Sequence, residues 1–331
     1  SNLFGNVNLR TKKLGVSVNA GGRMMYPPTG GYIDISRQLA NGQTLRTRQE
    51  NNGNQLGGFG NAQLSLDYSP TTKDNVTFSL RNSRRAFNLE NNQQSYSFVG
   101  TTKTPSFGNQ IDTKNMGNNL DMNLDYTRKF EKENKEFSIL AQFSQNKGDN
   151  SYTRNQYQGA SVGETSYREN NPNKSLTQER TIQIDYQDPL SQYAQIETGA
   201  KMILRHIESD FRFNYDSTGR GAYIANPLRT NVFSYDQNVY SGYLSFLFQT
   251  KNKWGFKPGL RYEYTQLAAK YQDAPAVDLP DFGSLIPSLT ISKSLKGGKT
   301  IRVSYNRRIQ RPSIQFLNPN VSQSDPFNIS F

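Results

Sequence analysis

The chain has 331 residues, 34% of them hydrophobic, no cysteine, a mean hydropathy of −0.80 and a formal charge of +12. Disulfide staples and thiol chemistry are excluded, and no stretch approaches the roughly 20 apolar residues that a membrane-crossing helix needs. A β-barrel needs only alternate apolar residues over about 9–11 positions, so the low hydropathy does not exclude a bilayer.

Taken in chain order, apolar residues at every second position recur on both sides of six polar junctions. Val7 and Leu9 lead through Thr11-Lys12 to Leu14, Val16 and Val18. Ala62, Leu64, Leu66 and Tyr68 precede the junction at residues 69–75, and Val76, Phe78 and Leu80 follow it. Leu120, Met122, Leu124 and Tyr126 are answered beyond 129–135 by Phe137, Ile139, Ala141 and Phe143. Ile182, Ile184 and Tyr186 face Ala194, Ile196, Ala200, Met202 and Leu204 across 188–192. Tyr240, Leu244, Phe246 and Phe248 lead through 250–253 to Trp254, Phe256, Leu260, Tyr262 and Tyr264. Leu289 and Ile291 lead through 296–299 to Ile301, Val303 and Tyr305. A strand sends successive side chains to opposite faces, so each stretch has one apolar and one wet face. The pattern predicts about twelve antiparallel strands joined by short turns, with long polar loops near 26–55, 88–115, 150–175, 216–232 and 272–284 at the other end. Short turns at one end and long loops at the other describe an up-and-down transmembrane β-barrel. Aromatics beside the short turns, among them Tyr68, Phe130, Tyr193, Phe248 and Trp254, suit an interfacial girdle.

Most of the excess charge is scattered, as in Arg46/Arg48, Arg84/Arg85 and Arg307/Arg308/Arg311. That spacing suits loop and lumen charge facing water or lipid phosphates better than a nucleic-acid face. Gly297-Gly298-Lys299-Thr300 resembles the end of a phosphate-binding loop, but Lys293 stands where its first Gly belongs and an alternating stretch follows instead of a helix. A hairpin turn is the better reading. Asp121, Asn123 and Asp125 mimic the start of a calcium loop, yet Tyr126 and Lys132 occupy its Gly and Glu positions. They form a polar lumen row, solvated or paired with arginines of neighbouring strands. His206 is the single histidine and reads as structural. No catalytic constellation, cofactor site or metal site emerges, so the expectation is a non-enzyme. Loop tyrosines Tyr96, Tyr152, Tyr157, Tyr167 and Tyr223 suit ligand binding and loop folding equally, and the ligand-binding residues stay unknown.

The most distinctive stretch runs from Tyr305 through Arg307, Arg308, Arg311, Pro312, Asn318 and Pro319 to Asp325, Pro326 and Phe327. It resembles the barrel region of TonB-dependent receptors, in particular the Bacteroidetes outer membrane protein beta-barrel group. The resemblance implies a bacterial outer-membrane location, a whole barrel of about 22 strands, a plug, coupling to the TonB system and import of a scarce nutrient. The chain opens on Ser1-Asn2 without signal peptide, TonB box or plug, and the resemblance implies further strands beyond Phe331. Residues 1–331 are therefore expected to be one barrel region of a larger protein, its partners being outer-membrane lipid and lipopolysaccharide, the TonB system and an unidentified nutrient, with no nucleic acid. Two readings compete with it: a structural or adhesive barrel displaying binding loops, and a soluble basic β-sandwich. Twelve strands are expected either to close as a smaller barrel or to associate through two open edges.

Overall fold

The computed structural model describes residues 1–38, 44–99, 102–159, 164–272, 274–309, 322–325 and 328–330. The strands are β1 (Asn2–Arg10), β2 (Leu14–Met25), β3 (Pro28–Gln38), β4 (Thr44–Tyr68), β5 (Asp74–Val99), β6 (Thr102–Lys129), β7 (Glu136–Gln158), β8 (Thr165–Ser191) and β9 (Ala194–Phe211). They continue as β10 (Asn214–Asp216), β11 (Ile224–Ala225), β12 (Asn231–Gln249), β13 (Trp254–Tyr271), β14 (Ala274–Asp278), β15 (Phe282–Ser294), β16 (Thr300–Asn306), β17 (Ser322–Asp325) and β18 (Asn328–Ser330). The main path holds the expected twelve strands in the order β1-β2-β4-β5-β6-β7-β8-β9-β12-β13-β15-β16. Every pairing along it is antiparallel. The strands β3, β10, β11 and β14 attach beside this path.

All six short junctions are turns. In the last, Gly297 and Gly298 take φ of +77° and +75°, which side chains with a Cβ avoid, and Thr300 starts β16, so the Gly-Gly-Lys-Thr run is a hairpin turn. The fourth turn comes later than expected because β8 continues through Asp188 and Pro189. A register shift between Pro189 and Ser191 accommodates the proline, which has no N–H to offer the ladder. Pro258 inside β13 is accommodated without a shift: pairing with β12 skips residues 257 and 258 and resumes in the same register.

The register joins the apolar positions into one belt. Val16 pairs with Leu66, Leu66 with Phe78 and Phe78 with Leu124. Leu124 pairs with Ala141, Ala141 with Ile182, Ile182 with Met202 and Met202 with Tyr240. The belt ends through Leu244, Leu260 and Pro287, with Leu289 against Tyr305. These residues are the exposed ones: Leu124 is 46% exposed and Leu260 48%. On the opposite parity, Thr181 is 3% and Ser245 8% exposed. A water-soluble sheet would show the reverse. Among the described residues twelve polar or charged side chains are buried against six apolar ones, so there is no apolar core of the kind a sandwich requires.

One expectation is corrected. The segments 26–55, 88–115 and 150–175 are mostly strand rather than loop: β4 to β8 run 25, 26, 28, 23 and 27 residues. Beyond the bilayer both faces of a strand are wet, so the apolar alternation stops while the hydrogen-bond ladder continues. Of the two outcomes left open, closure or free edges, the described residues show the second: the sheet does not close on itself. No pairing joins β1 to β16 among the described residues, and both present an open edge. The sheet is curled nonetheless, because one cavity of about 1760 Å³ touches ten successive strands of the path, β1 to β13.

Candidate functional site: the wet face and its outer cluster

The wet face is built from the residues that alternate with the belt, and they bond to one another across strands. Ser144 Oγ donates to Asp121 Oδ1 at 2.7 Å and Tyr243 Oη to Asp185 Oδ1 at 2.6 Å. Arg205 gives Nε to Glu179 at 2.9 Å and Nη1 to Gln237 at 2.8 Å, and Lys257 Nζ reaches Glu197 Oε2 at 2.6 Å. A cavity of about 360 Å³ opens on this face at belt depth, lined by Gln63, Arg81, Asp121, Asn123, Gln142 and Glu179 among others. Arg81 stands opposite Asp121 in the register, but a serine, not an arginine, holds Asp121. Such a lining suits passage or capture of a polar solute.

The turn side is fastened by aromatic and charged groups. Tyr126 donates to Asp74 at 2.8 Å and Tyr186 to Asp188 at 3.0 Å. Lys135 lies over the rings of Phe130 and Tyr186 at 5.2 and 5.7 Å, and Lys293 over Trp254 at 4.8 Å. A cation whose stem lies along an aromatic ring and whose head reaches water is the arrangement of an interfacial girdle.

Farther out, β7, β8 and β10 form a second polar cluster. Arg154 and Glu169 are opposite one another in register and both buried, with Arg154 Nη2 3.2 Å from Glu169 Oε2. The adjoining pairs on the same face are Tyr152 with Asn171 and Asn150 with Asn173. The Nε and Nη1 of Arg154 and the side-chain oxygens of Asn150, Asn171 and Asn173 are buried without a partner among protein atoms. Buried polar groups are ordinarily satisfied by protein, water or ligand, so this row is the strongest ligand candidate on the wet face. Tyr167 covers it: its hydroxyl donates to Glu169 at 3.1 Å and its ring stacks on Tyr215. Burial, reinforced by the Glu169 charge, pushes the Tyr167 hydroxyl up to about 12, so it stays a donor.

Next to it Asp216 organises the connection to β12. It accepts from Arg168 Nη2 at 2.7 Å, from Thr218 N and Oγ1 at 2.9 and 2.7 Å, and from Gly221 N at 2.9 Å. These bonds, the Arg168 one foremost, hold its carboxyl well below the usual carboxylate range. Gly219 has φ +71° and an added Cβ there would run into the Thr165 carbonyl, so the turn admits only glycine.

Of the loop tyrosines, Tyr157 is buried and donates to Gln110 at 3.1 Å, Tyr96 carries Lys103 at 3.5 Å, and Tyr223 carries Arg168 at 5.2 Å. Tyr167 and Tyr152 are the two that border the unpartnered polar row. Sequence alternation missed Arg154, Asn171 and Asn173, because polar residues on a strand with two wet faces carry no pattern. His206, as expected, is held structurally, between Asp236 at 2.7 Å and Glu208 at 3.0 Å on the belt-parity face. Among the described residues no group of three or more acidic or histidine ligands could hold a metal. Of the distinctive C-terminal residues, Arg307 donates to the Leu285 carbonyl at 3.3 Å, Arg308 follows β16, and Asp325 ends β17. Arg311, Pro312, Asn318, Pro319, Pro326 and Phe327 lie outside the described residues.

Comparison with known proteins adds one family. The model of the "Outer membrane protein beta-barrel family" matches residues 128–331, from the end of β6 onward. The sheet continues without a break into β1–β6. No curated protein matches the chain. Among solved structures, the crystal structure of the outer membrane protease OmpT from Escherichia coli is similar at a TM-score of 0.25 and 8% identity, over 89% of this chain and 97% of that one. Likeness at that level carries nothing about this chain.

Proposed function

The chain belongs to the outer membrane protein beta-barrel family and hence to the bacterial outer membrane, and on that premise we propose that it is the barrel wall of a TonB-dependent receptor importing a scarce nutrient. In this reading the twelve strands are part of a larger barrel of about 22, whose further strands would pair with the open edges of β1 and β16. The wall does no chemistry. Its wet face lines the lumen, a plug and the TonB system gate it, and the outer cluster takes ligand before passage. The observation that supports this most is the polar row of Arg154, Asn150, Asn171 and Asn173 on the wet face, whose Arg154 Nε and Nη1 and asparagine side-chain oxygens are buried without a partner among protein atoms.

The test is nutrient accumulation by cells that carry the gene, lack it, or lack the TonB energising complex. Loss of uptake in both deletion strains is expected. Uptake or surface binding indifferent to TonB would favour the other reading, a structural or adhesive barrel. That reading has its own support in strand length. The 28 residues of β6 extend about 90 Å, far past the bilayer, as a displayed surface would.

A further inference from the structure

One register row of the wet face runs unbroken around the cavity of about 1760 Å³ that lies within the curl of the sheet. It begins on β1 with Asn2 and passes through Arg23, Phe59 and Arg85 on β2, β4 and β5. Four small residues follow on β6 to β9: Gly117, Gly148, Ser175 and Ser209. Phe233 and Tyr271 end the row on β12 and β13, where they join the apolar cluster of Tyr235 and Ala269. Every member of the row lines the cavity.

The charge of this row is one-sided. Arg23 and Arg85 are exposed and stand one strand spacing to either side of an exposed phenyl, Phe59, so the two arginines are about 10 Å apart along the wall. None of the three side chains has a hydrogen bond, ion pair or ring contact among the described residues. Farther along the same face Arg154, Arg205 and Lys257 do have acids, Glu169, Glu179 and Glu197. Here no acid is at hand. Among the described residues neither adjoining wet-face row carries a charge: Ser83, Asn119 and Asn146 stand on the turn side, and Phe87, Asn115 and Asn150 on the outer side. Asp149, Glu208 and Asp210 touch the cavity from the opposite parity, so their side chains leave on the other face, where His206 holds Glu208 and Arg212 holds Asp210. Glycine keeps the space open. A Cβ at Gly117 would lie 2.8 Å from Arg85 Nε, so the arginine extends over β6 and leaves the ring of Phe59 uncovered.

We propose that this row is a subsite for an organic anion that carries a flat ring. Arg85 and Arg23 take its carboxylate, and its ring lies on Phe59. Two unpaired guanidinium groups supply charge and fork geometry, and the bare phenyl between them offers an apolar face that an inorganic anion would not use. The inference names a ligand class for the proposed transporter and rests on one part of that reading, the wet face as a lumen wall; it asks nothing of TonB.

The test titrates the full chain in uncharged detergent micelles with 2-naphthoate, 2-naphthylmethanol and acetate as separate probes, with binding read by calorimetry against empty micelles. Naphthoate should bind, and the ring without charge and the charge without ring should each bind at least about tenfold more weakly. Arg85→Gln should weaken naphthoate about tenfold, as loss of a charged hydrogen bond implies. Phe59→Leu should cost about fivefold, which keeps the test open if the arginine variant fails to fold. Arg84→Gln, one residue away with its side chain on the opposite face, should leave binding unchanged. No binding of naphthoate, either control probe binding as tightly as naphthoate, or equal loss in Arg84→Gln would each overturn the proposal. Naphthoate binding by a chain whose cells take up nutrient indifferently to TonB would uphold the subsite while refuting TonB-dependent transport.

Discussion

The half of the sheet next to the short turns and the half beyond the belt share strands, ladder and alternating backbone, yet obey different rules. Near the turns Leu124, Ile182 and Leu260 are exposed and Thr181 and Ser245 sheltered, so the two faces see different solvents. In the outer half Gln49, Ser95, Asn109, Arg154, Glu169 and Asn171 are buried, beside an apolar cluster of Phe233, Tyr235 and Ala269. The inner half is specified by its solvent and the outer half by its partners. Each substitution below should therefore damage one half and spare the other.

The largest effect is expected from Glu169→Ala. Removing one member of a buried ion pair strands the Arg154 guanidinium and costs about 3–5 kcal/mol, confined to the outer half. Hydrogen exchange should accelerate in β7 and β8 beyond residue 150 and stay slow at residues 137–143. Ile182→Arg does the opposite. A cation on the lipid face near mid-bilayer costs about 2–4 kcal/mol, read as a lower denaturant midpoint for unfolding from lipid vesicles. The same change at the exposed Thr104, in the outer half, should move the midpoint by less than about 0.5 kcal/mol.

Asp216→Asn should free the amides of Thr218, Gly219 and Gly221 while leaving the belt untouched, an effect seen in exchange at those positions. The sign of the accompanying pH effect follows from the depressed carboxyl. Stabilisation is fully present above the ordinary carboxylate value of about 4 and is lost as pH falls from there through the lower folded value. Protection in the wild type should decay on acidification over that range, and the Asn variant should be flat. A small change is expected from Lys73→Gln, which removes an exposed pair with Glu131 on the turn side and should alter stability by no more than about 1 kcal/mol.

The inner half was legible because lipid on one face and water on the other write a period of two into every strand, as at Leu120 to Tyr126. The turns were legible for a similar local reason: Gly297 and Gly298 supply φ values that other residues resist. The outer half was not legible. From residue 88 to 115 both faces are wet, so polar residues fall at every position and the stretch looks like loop although residues 88–99 pair with 102–114 across one register shift. The Arg154–Glu169 pair was hidden for the same reason. Their contact depends on the register between β7 and β8, which only the ladder fixes. Whether β1 and β16 meet was also beyond the pattern, since alternation constrains faces and not edges.

The central claim is that the alternation at the turn end marks lipid and water, and that its loss farther out marks water on both sides. Because the chain has no cysteine, single cysteines carrying a spin label can be placed along β6 without background. In lipid vesicles, labels at 120, 122, 124 and 126 should be reached by apolar oxygen and those at 119, 121, 123 and 125 by a water-soluble paramagnet, while at 109–115 no position should favour oxygen. Alternation in which the even positions are reached by neither reagent would place them in a protein core and contradict the account.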